Sequence, residues 1–224
     1  MTDTPALKAV LFDLDGTLVD TAPDLSEVLN TLLIHHGKPP QPYEAIRPHV
    51  SHGSVGMLGL GFNINELDPS FNELRKEFLD LYANELCHKS KLFPGMSDVL
   101  DELEQRDLPW GVVTNKPDFL TRPLLDELKL SNRCCCIISG DTLADRKPHP
   151  APMYHAAGLA GSDPQHCVYV GDASRDIEAG NRAGMFTLIA MYGYLSDQDS
   201  PELWEADGSI EDPAGLLDWI DSHA

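Results

Sequence analysis

A chain of 224 residues, 42% hydrophobic and 23% charged, is long enough for one large domain, or one domain with a sizeable insertion, whose core needs no covalent staples. Sixteen Lys and Arg against 36 Asp and Glu give a formal net charge of −20, a field that repels nucleic acid where no Lys or Arg run supplies a local basic patch. No apolar run approaches the roughly 18 to 20 residues that span a bilayer, the polar start Met1–Pro5 reads as no signal peptide, and five cysteines without CxxC spacing indicate neither a zinc site nor a disulfide framework, so a reducing cytoplasm is expected.

In chain order, Ala9–Phe12 reads as a short, fully buried strand, ended by the Asp- and Gly-rich turn 13–17. The next 75 or so residues show no strand pattern. Within them, Pro23–His36 carries Leu25, Val28, Leu29, Leu32 and Leu33 on one helical face, with Gly37 placed to end it. Gly37–Pro42 is a breaker, and Ser51–Gly61 reads as a Gly-rich loop. Ser70–His88 is a second amphipathic helix, with Ser70 as N-cap, Glu73 three residues on, and a stripe of Phe71, Leu74, Phe78, Leu81 and Tyr82. Residues 18–92 therefore read as a helical insertion that returns to the main domain at Phe93-Pro94-Gly95. From there strands are expected at Trp110–Thr114, Cys135–Ser139, Val168–Val170 and Thr187–Ala190. Helices fall at Ser97–Gln105, Arg122–Leu130, Pro152–Gly158 and Asp176–Ala183. The alternation predicts an α/β fold, a parallel sheet covered on both faces, formed by residues 1–17 and 93–224.

Three chemistry-bearing segments directly follow expected strands, at the strand ends where open α/β sheets bind ligands: Asp13-Leu-Asp15-Gly-Thr17, Val113-Thr114-Asn115-Lys116, and Gly171-Asp172-Ala-Ser-Arg-Asp176. A fourth, Arg146-Lys147-Pro148, opens a helix. Gathering Asp13, Asp15, Asp172 and Asp176 at one edge calls for a hard divalent cation, with Lys147 as the further positive charge. A carboxylate can attack phosphorus to form an aspartyl-phosphate, provided repulsion is neutralised. At ~4 Å and an effective dielectric near 20, a monoanion facing a dianion costs about 8 kcal/mol. Lys116 reads either as a support of its loop or as a phosphate-facing charge. His35-His36 and Cys134–Cys136 read as core or surface residues, because neighbouring side chains diverge. Gly56–Gly61 has neither the preceding strand nor the Lys-Ser/Thr of a phosphate loop. Arg47, His49, Ser51 and His52 form a polar, partly basic cluster within the insertion and are candidates for substrate contact.

Taken together and in this order, Asp13-Leu-Asp-Gly-Thr, Thr114-Asn-Lys, Lys147-Pro and Gly171-Asp-Ala-Ser-Arg-Asp176 resemble the four motifs of the haloacid dehalogenase-like hydrolases. The resemblance spans nearly the whole chain. It implies a Rossmann-like core with a mobile helical cap inserted after the first motif, matching residues 18–92. It implies Asp13 as nucleophile, Asp15 as general acid and then base, and Thr114, the Asn115 backbone N–H and Lys147 around the phosphoryl group. Mg²⁺ would be held by Asp13, the Asp15 carbonyl and Asp172, with Asp176 supporting directly or through water. An acid at position 15 implies phosphate ester chemistry rather than dehalogenation. The implied partner is a small phosphorylated metabolite handled by a monomer or homodimer, with N-acetylmuramic acid 6-phosphate as first expected substrate and 2-phosphoglycolate as second. A sugar phosphate mutase or a catalytically silent binding protein on the same fold are the rival readings. Ala173 departs from the relatives acting on the first substrate, which often carry a second Asp there.

Overall fold

The computed structural model describes residues 7–223, so the polar start Met1–Pro5 lies outside the described residues. The first apolar run forms strand β1 (Ala9–Phe12), every residue of it fully buried. Its alternation sorts the core into two layers, since successive side chains leave opposite faces of a strand. Val10 and Phe12 pack with apolar residues of helices α5 (Met96–Gln105), α6 (Asp118–Glu127) and α9 (Gly215–Ser222). Ala9 and Leu11 pack with those of α7 (Ala151–Leu159) and α8 (Ser174–Ala183). A strand buried on both sides reads as a continuous apolar run for this reason.

Five further strands complete the sheet: β4 (Trp110–Val113), β5 (Ile137–Ile138), β6 (Cys167–Gly171), β7 (Phe186–Ala190) and β8 (Gly208–Ile210). The order is β5-β4-β1-β6-β7-β8, parallel throughout. The α/β expectation holds, with β8 and α9 added beyond the last element read from the sequence. Because β1 lies between β4 and β6, the chain builds outward to one side of it and then to the other. This places the switch point, the usual ligand crevice, at the carboxyl ends of these three strands.

The insertion holds α1 (Ala22–His35), α2 (Tyr43–Ile46), a 3-10 turn at Arg47–His52, α3 (Gly53–Phe62) and α4 (Phe71–Asn84). The stripes of α1 and α4 are buried as expected, apart from the half-buried Leu81, each fully buried large side chain contributing roughly 1.5–3 kcal/mol. Main-chain bonds from Gly37 to Ile34 (3.0 Å) and from Lys38 to Leu33 (2.8 Å) close α1, the C-terminal pattern in which orphan carbonyls are satisfied. Two expectations fail here. The segment Ser51–Gly61 is helical rather than loop. Its glycines disfavour helix in isolation, but a Cβ at Gly61 would sit 2.9 Å from Leu29 Cδ1, so the small residue lets α3 press against α1 while Met57 and Leu58 are buried. Nor is the insertion free of strand. β2 (Val19–Asp20) pairs antiparallel with β3 (Lys91–Leu92), a ribbon that joins the two ends of the insertion. Helix α6 also begins four residues early, at Asp118, with Pro123 inside it. Among the described residues no helix is long and apolar enough to cross a membrane.

Candidate active site

Strand ends deliver the charged residues. Asp13 follows β1, Thr114 follows β4, and Asp172 follows β6 with Asp176 in the first turn of α8. One oxygen of each of Asp13, Asp172 and Asp176 lies within 4.8 Å of the others, and all three residues are buried. Among the described residues this is the only group of three or more His, Cys, Asp or Glu side chains close enough to hold a metal ion.

Lys147 anchors the group from below. Its Nζ is 2.9 Å from Asp13 Oδ1 and 2.8 Å from Asp176 Oδ1. It also donates to the Val113 carbonyl (2.9 Å) and the Tyr169 hydroxyl (2.7 Å), while that hydroxyl donates to the same carbonyl. Four acceptors for three N–H donors hold the ammonium in one place. The loop carrying Lys147 is itself fixed by Asn115, whose side chain donates to the Lys147 carbonyl (2.9 Å) and accepts its N–H (3.1 Å). Tyr169 is a strand residue whose polar tip the apolar pattern hid.

Asp172 faces the opposite demand. Oδ2 accepts from the Ser51 hydroxyl (2.6 Å) and the Tyr194 N–H (2.9 Å), and Oδ1 from Thr17 Oγ1 at 3.3 Å. Despite these donors its pKa is raised to about 7, first by burial and then by Asp13 and Asp176. Burial and Asp13 likewise raise Asp176, against the pull of Lys147 and Arg175. Three buried carboxylates with one ammonium in contact therefore lack positive charge, and hard oxygen donors in that condition fit a divalent cation such as Mg²⁺. The approach is tight. Gly16 has φ +89°, and a Cβ there would fall 2.2 Å from Asp172 Oδ2, so only glycine fits this turn.

Asp15, half-buried, is oriented from three elements. Its Oδ1 accepts from Thr21 Oγ1 (2.6 Å) and from Lys116 Nζ (2.9 Å), and Lys116 also donates to the Tyr82 hydroxyl of α4 (3.0 Å). Burial opposes the Lys116 charge, but Asp15 and Tyr82 outweigh it and raise the pKa. Burial pushes the Tyr82 phenol up to about 12, against Lys116. Lys116 thus supports Asp15.

The cluster of the insertion divides. Ser51 reaches the carboxylate centre through Asp172, and its carbonyl accepts from Arg175 Nη2 at 2.6 Å. Arg47 Nη2 donates to the Tyr192 carbonyl (3.0 Å) and its guanidinium lies 4.9 Å from the Tyr194 ring centre. His49 is half-buried, and His52 is exposed with its pKa lowered by partial burial and by Arg175. Tyr194, beyond β7, ties the pieces together: its hydroxyl accepts from the N–H groups of Thr21 (2.7 Å) and Ala22 (2.9 Å) and donates to Asp20 (2.8 Å). Arg175 lies inside the Gly171–Asp176 motif, but only the fold shows what it and Tyr194 touch. His35 and His36 are exposed, and both rings turn to Glu77, at 3.7 and 2.9 Å, so these neighbours converge where divergence was expected. Of the cysteines, Cys136 and Cys167 are buried and Cys135 is exposed, none near the carboxylates.

A family model described as haloacid dehalogenase-like hydrolase matches residues 10–190. The chain is 45% identical over 210 residues to a phosphoglycolate phosphatase of Xanthomonas campestris pv. campestris (93% of this chain, 94% of the relative). It is 39% identical over 216 residues to the N-acetylmuramic acid 6-phosphate phosphatase of Pseudomonas putida (96% and 97%). To the phosphoglycolate phosphatase of the same organism it is 36% identical over 205 residues (88% and 75%). The crystal structure of a predicted phosphoglycolate phosphatase from Haemophilus somnus 129pt superposes with a TM-score of 0.83 at 28% identity, covering 95% of this chain and 97% of that one.

Proposed function

The chain belongs to the haloacid dehalogenase-like hydrolases and is a phosphatase, and from that premise we propose that it hydrolyses N-acetylmuramic acid 6-phosphate through an aspartyl-phosphate on Asp13, with Mg²⁺. The carrying observation is the buried set of Asp13, Asp172 and Asp176 around Lys147. Asp13, the Asp15 carbonyl, Asp172 and Asp176 would hold Mg²⁺, which when bound neutralises phosphoryl oxygens and so removes much of the repulsion facing a carboxylate nucleophile. The remaining work falls to the chain. Lys147 orients Asp13 and offsets charge on the phosphoryl group, which Thr114 and the Asn115 N–H hold by hydrogen bonds. Asp13 attacks phosphorus and the ester bond breaks. Asp15 gives a proton to the departing alkoxide and later takes one from the water that cleaves the aspartyl-phosphate. Both donors to Asp15 converge on Oδ1, which supports Oδ2 as the oxygen that carries that proton. Residues 18–92 act as a cap that swings on the β2–β3 ribbon, and the 47–52 turn withdraws from Asp172 and Arg175 to admit substrate.

The two Pseudomonas putida relatives support the choice of substrate, because the chain matches the N-acetylmuramic acid 6-phosphate phosphatase over more of its length and at higher identity. The Xanthomonas relative favours 2-phosphoglycolate as the second reading. Steady-state turnover of both esters, with Mg²⁺ and in excess chelator, separates them. The expected result is kcat/KM at least about tenfold higher for the sugar phosphate and no turnover in chelator. The reverse preference assigns 2-phosphoglycolate, and full activity in chelator removes the metal.

A further inference from the structure

Four cations surround the carboxylate centre, and three are committed. Lys147 pairs with Asp13 and Asp176, and Lys116 with Asp15. Arg47 lies over the Tyr194 ring with Nη2 on a core carbonyl. Arg175 differs. It stands in the first turn of α8, one residue before Asp176, and is half-buried. Its hydrogen bond runs to the Ser51 carbonyl, a neutral acceptor on the insertion. The guanidinium thus has no ion-pair partner among the described residues, and a single carbonyl uses only part of a planar fork of five N–H donors.

A bond to the Ser51 carbonyl is lost whenever the 47–52 turn withdraws. The guanidinium then faces the opened centre, where a carboxylate matches its fork in two parallel hydrogen bonds and a neutral hydroxyl does not. Resting on the phosphatase reading above, we infer that Arg175 is a specificity-determining residue, and that it takes the carboxylate of the substrate in place of the Ser51 carbonyl. The substrate class is then a phosphomonoester of an alcohol that also bears a carboxylate. Selection is made by the core, on the same turn that supplies Asp172 and Asp176, and not by the insertion alone.

Two substrate pairs test this, the first differing by the carboxylate-bearing lactyl ether and the second by a carboxylate in place of a hydroxymethyl group: N-acetylmuramic acid 6-phosphate against N-acetylglucosamine 6-phosphate, and 2-phosphoglycolate against 2-hydroxyethyl phosphate. The unaltered protein should prefer the acid of at least one pair by at least about tenfold in kcat/KM. Arg175→Gln should bring that ratio to within about twofold, mainly through KM of the acid, and Arg175→Lys should restore part of it. Arg47→Gln should shift both members of a pair alike. A ratio that survives Arg175→Gln overturns the inference, as does an unaltered enzyme that hydrolyses all four esters without preference. A chain that hydrolyses none of them, nor p-nitrophenyl phosphate, overturns the phosphatase reading instead.

Discussion

The carboxylate centre and the 47–52 turn meet at Asp172 but are built differently. Asp13 stands at a strand end, Asp176 in a first helical turn and Lys147 on the loop before α7; each is no more than 3% exposed, and they are linked by ion pairs at 2.8–2.9 Å. The turn touches that frame through side-chain hydrogen bonds at Ser51, Arg175 and Arg47. Bonds to carbonyls and hydroxyls can be exchanged for bonds to a ligand, whereas a buried charge stripped of its partner is strongly penalised. On the reading proposed above, the frame performs a fixed reaction while selection among esters is left to groups that let go.

Substitutions can break either half. On the proposed mechanism Asp13→Asn removes the attacking oxygen and one charge for the cation, so turnover should fall at least about a hundredfold in steady-state assays while the far-UV spectrum stays unchanged. Asp15→Asn is narrower. An alkyl phosphate, whose alkoxide needs a proton, should lose about a hundredfold in kcat/KM, and p-nitrophenyl phosphate about ten times less. Equal losses would place Asp15 outside proton transfer. Arg47→Ala should lower kcat/KM about tenfold on acidic and neutral esters alike, since this guanidinium docks the turn onto Tyr192 and Tyr194. A loss confined to the acidic ester would make Arg47 the carboxylate contact.

The smallest effect concerns stability. Asp172 has a folded pKa raised from 3.8 to about 7, so its folded form retains a proton that the unfolded chain releases. The penalty of ionising it in the fold is absent below pH 4, grows between pH 4 and 7, and is complete above 7. In chelator at pH 8, Asp172→Asn should therefore melt about 5 °C above the unaltered protein, and this gain should vanish towards pH 4. Added Mg²⁺ should raise the melting temperature of the unaltered protein and leave the variant unmoved. A variant that melts lower at pH 8 would show that the hydrogen bonds of Asp172 outweigh the repulsion.

The centre was legible because its signals are local. A short apolar run followed by Asp-x-Asp-Gly-Thr names both a strand and what stands at its end, and the parallel order of the sheet brings such ends together. The insertion was legible only in its stripes. Four glycines between 53 and 61 read as loop, because the close packing of Gly61 against Leu29 and Leu33 depends on a helix distant in sequence. Two-residue strands such as β2 and β3 carry no period to read. Tyr82 was found as a core position, but its hydroxyl on Lys116 was not, since a stripe fixes burial and says nothing of the polar tip. Arg47 and Ser51 were found as candidates by type and place. Their partners, 145 and 121 residues away in sequence, could come only from the fold.

The most direct test of the account is the covalent step itself. Asp15→Asn should still release p-nitrophenolate once, because that leaving group needs little protonation, but it lacks the base that activates water for the second step. Acid quench within one turnover, followed by peptide mass spectrometry, should find a single phosphoryl group on the peptide containing Asp13, and none when Asp13→Asn is added. Continued release of p-nitrophenolate with no phosphoryl group on that peptide at any time would contradict the account, and would leave Asp13 as a charge in the centre rather than its nucleophile.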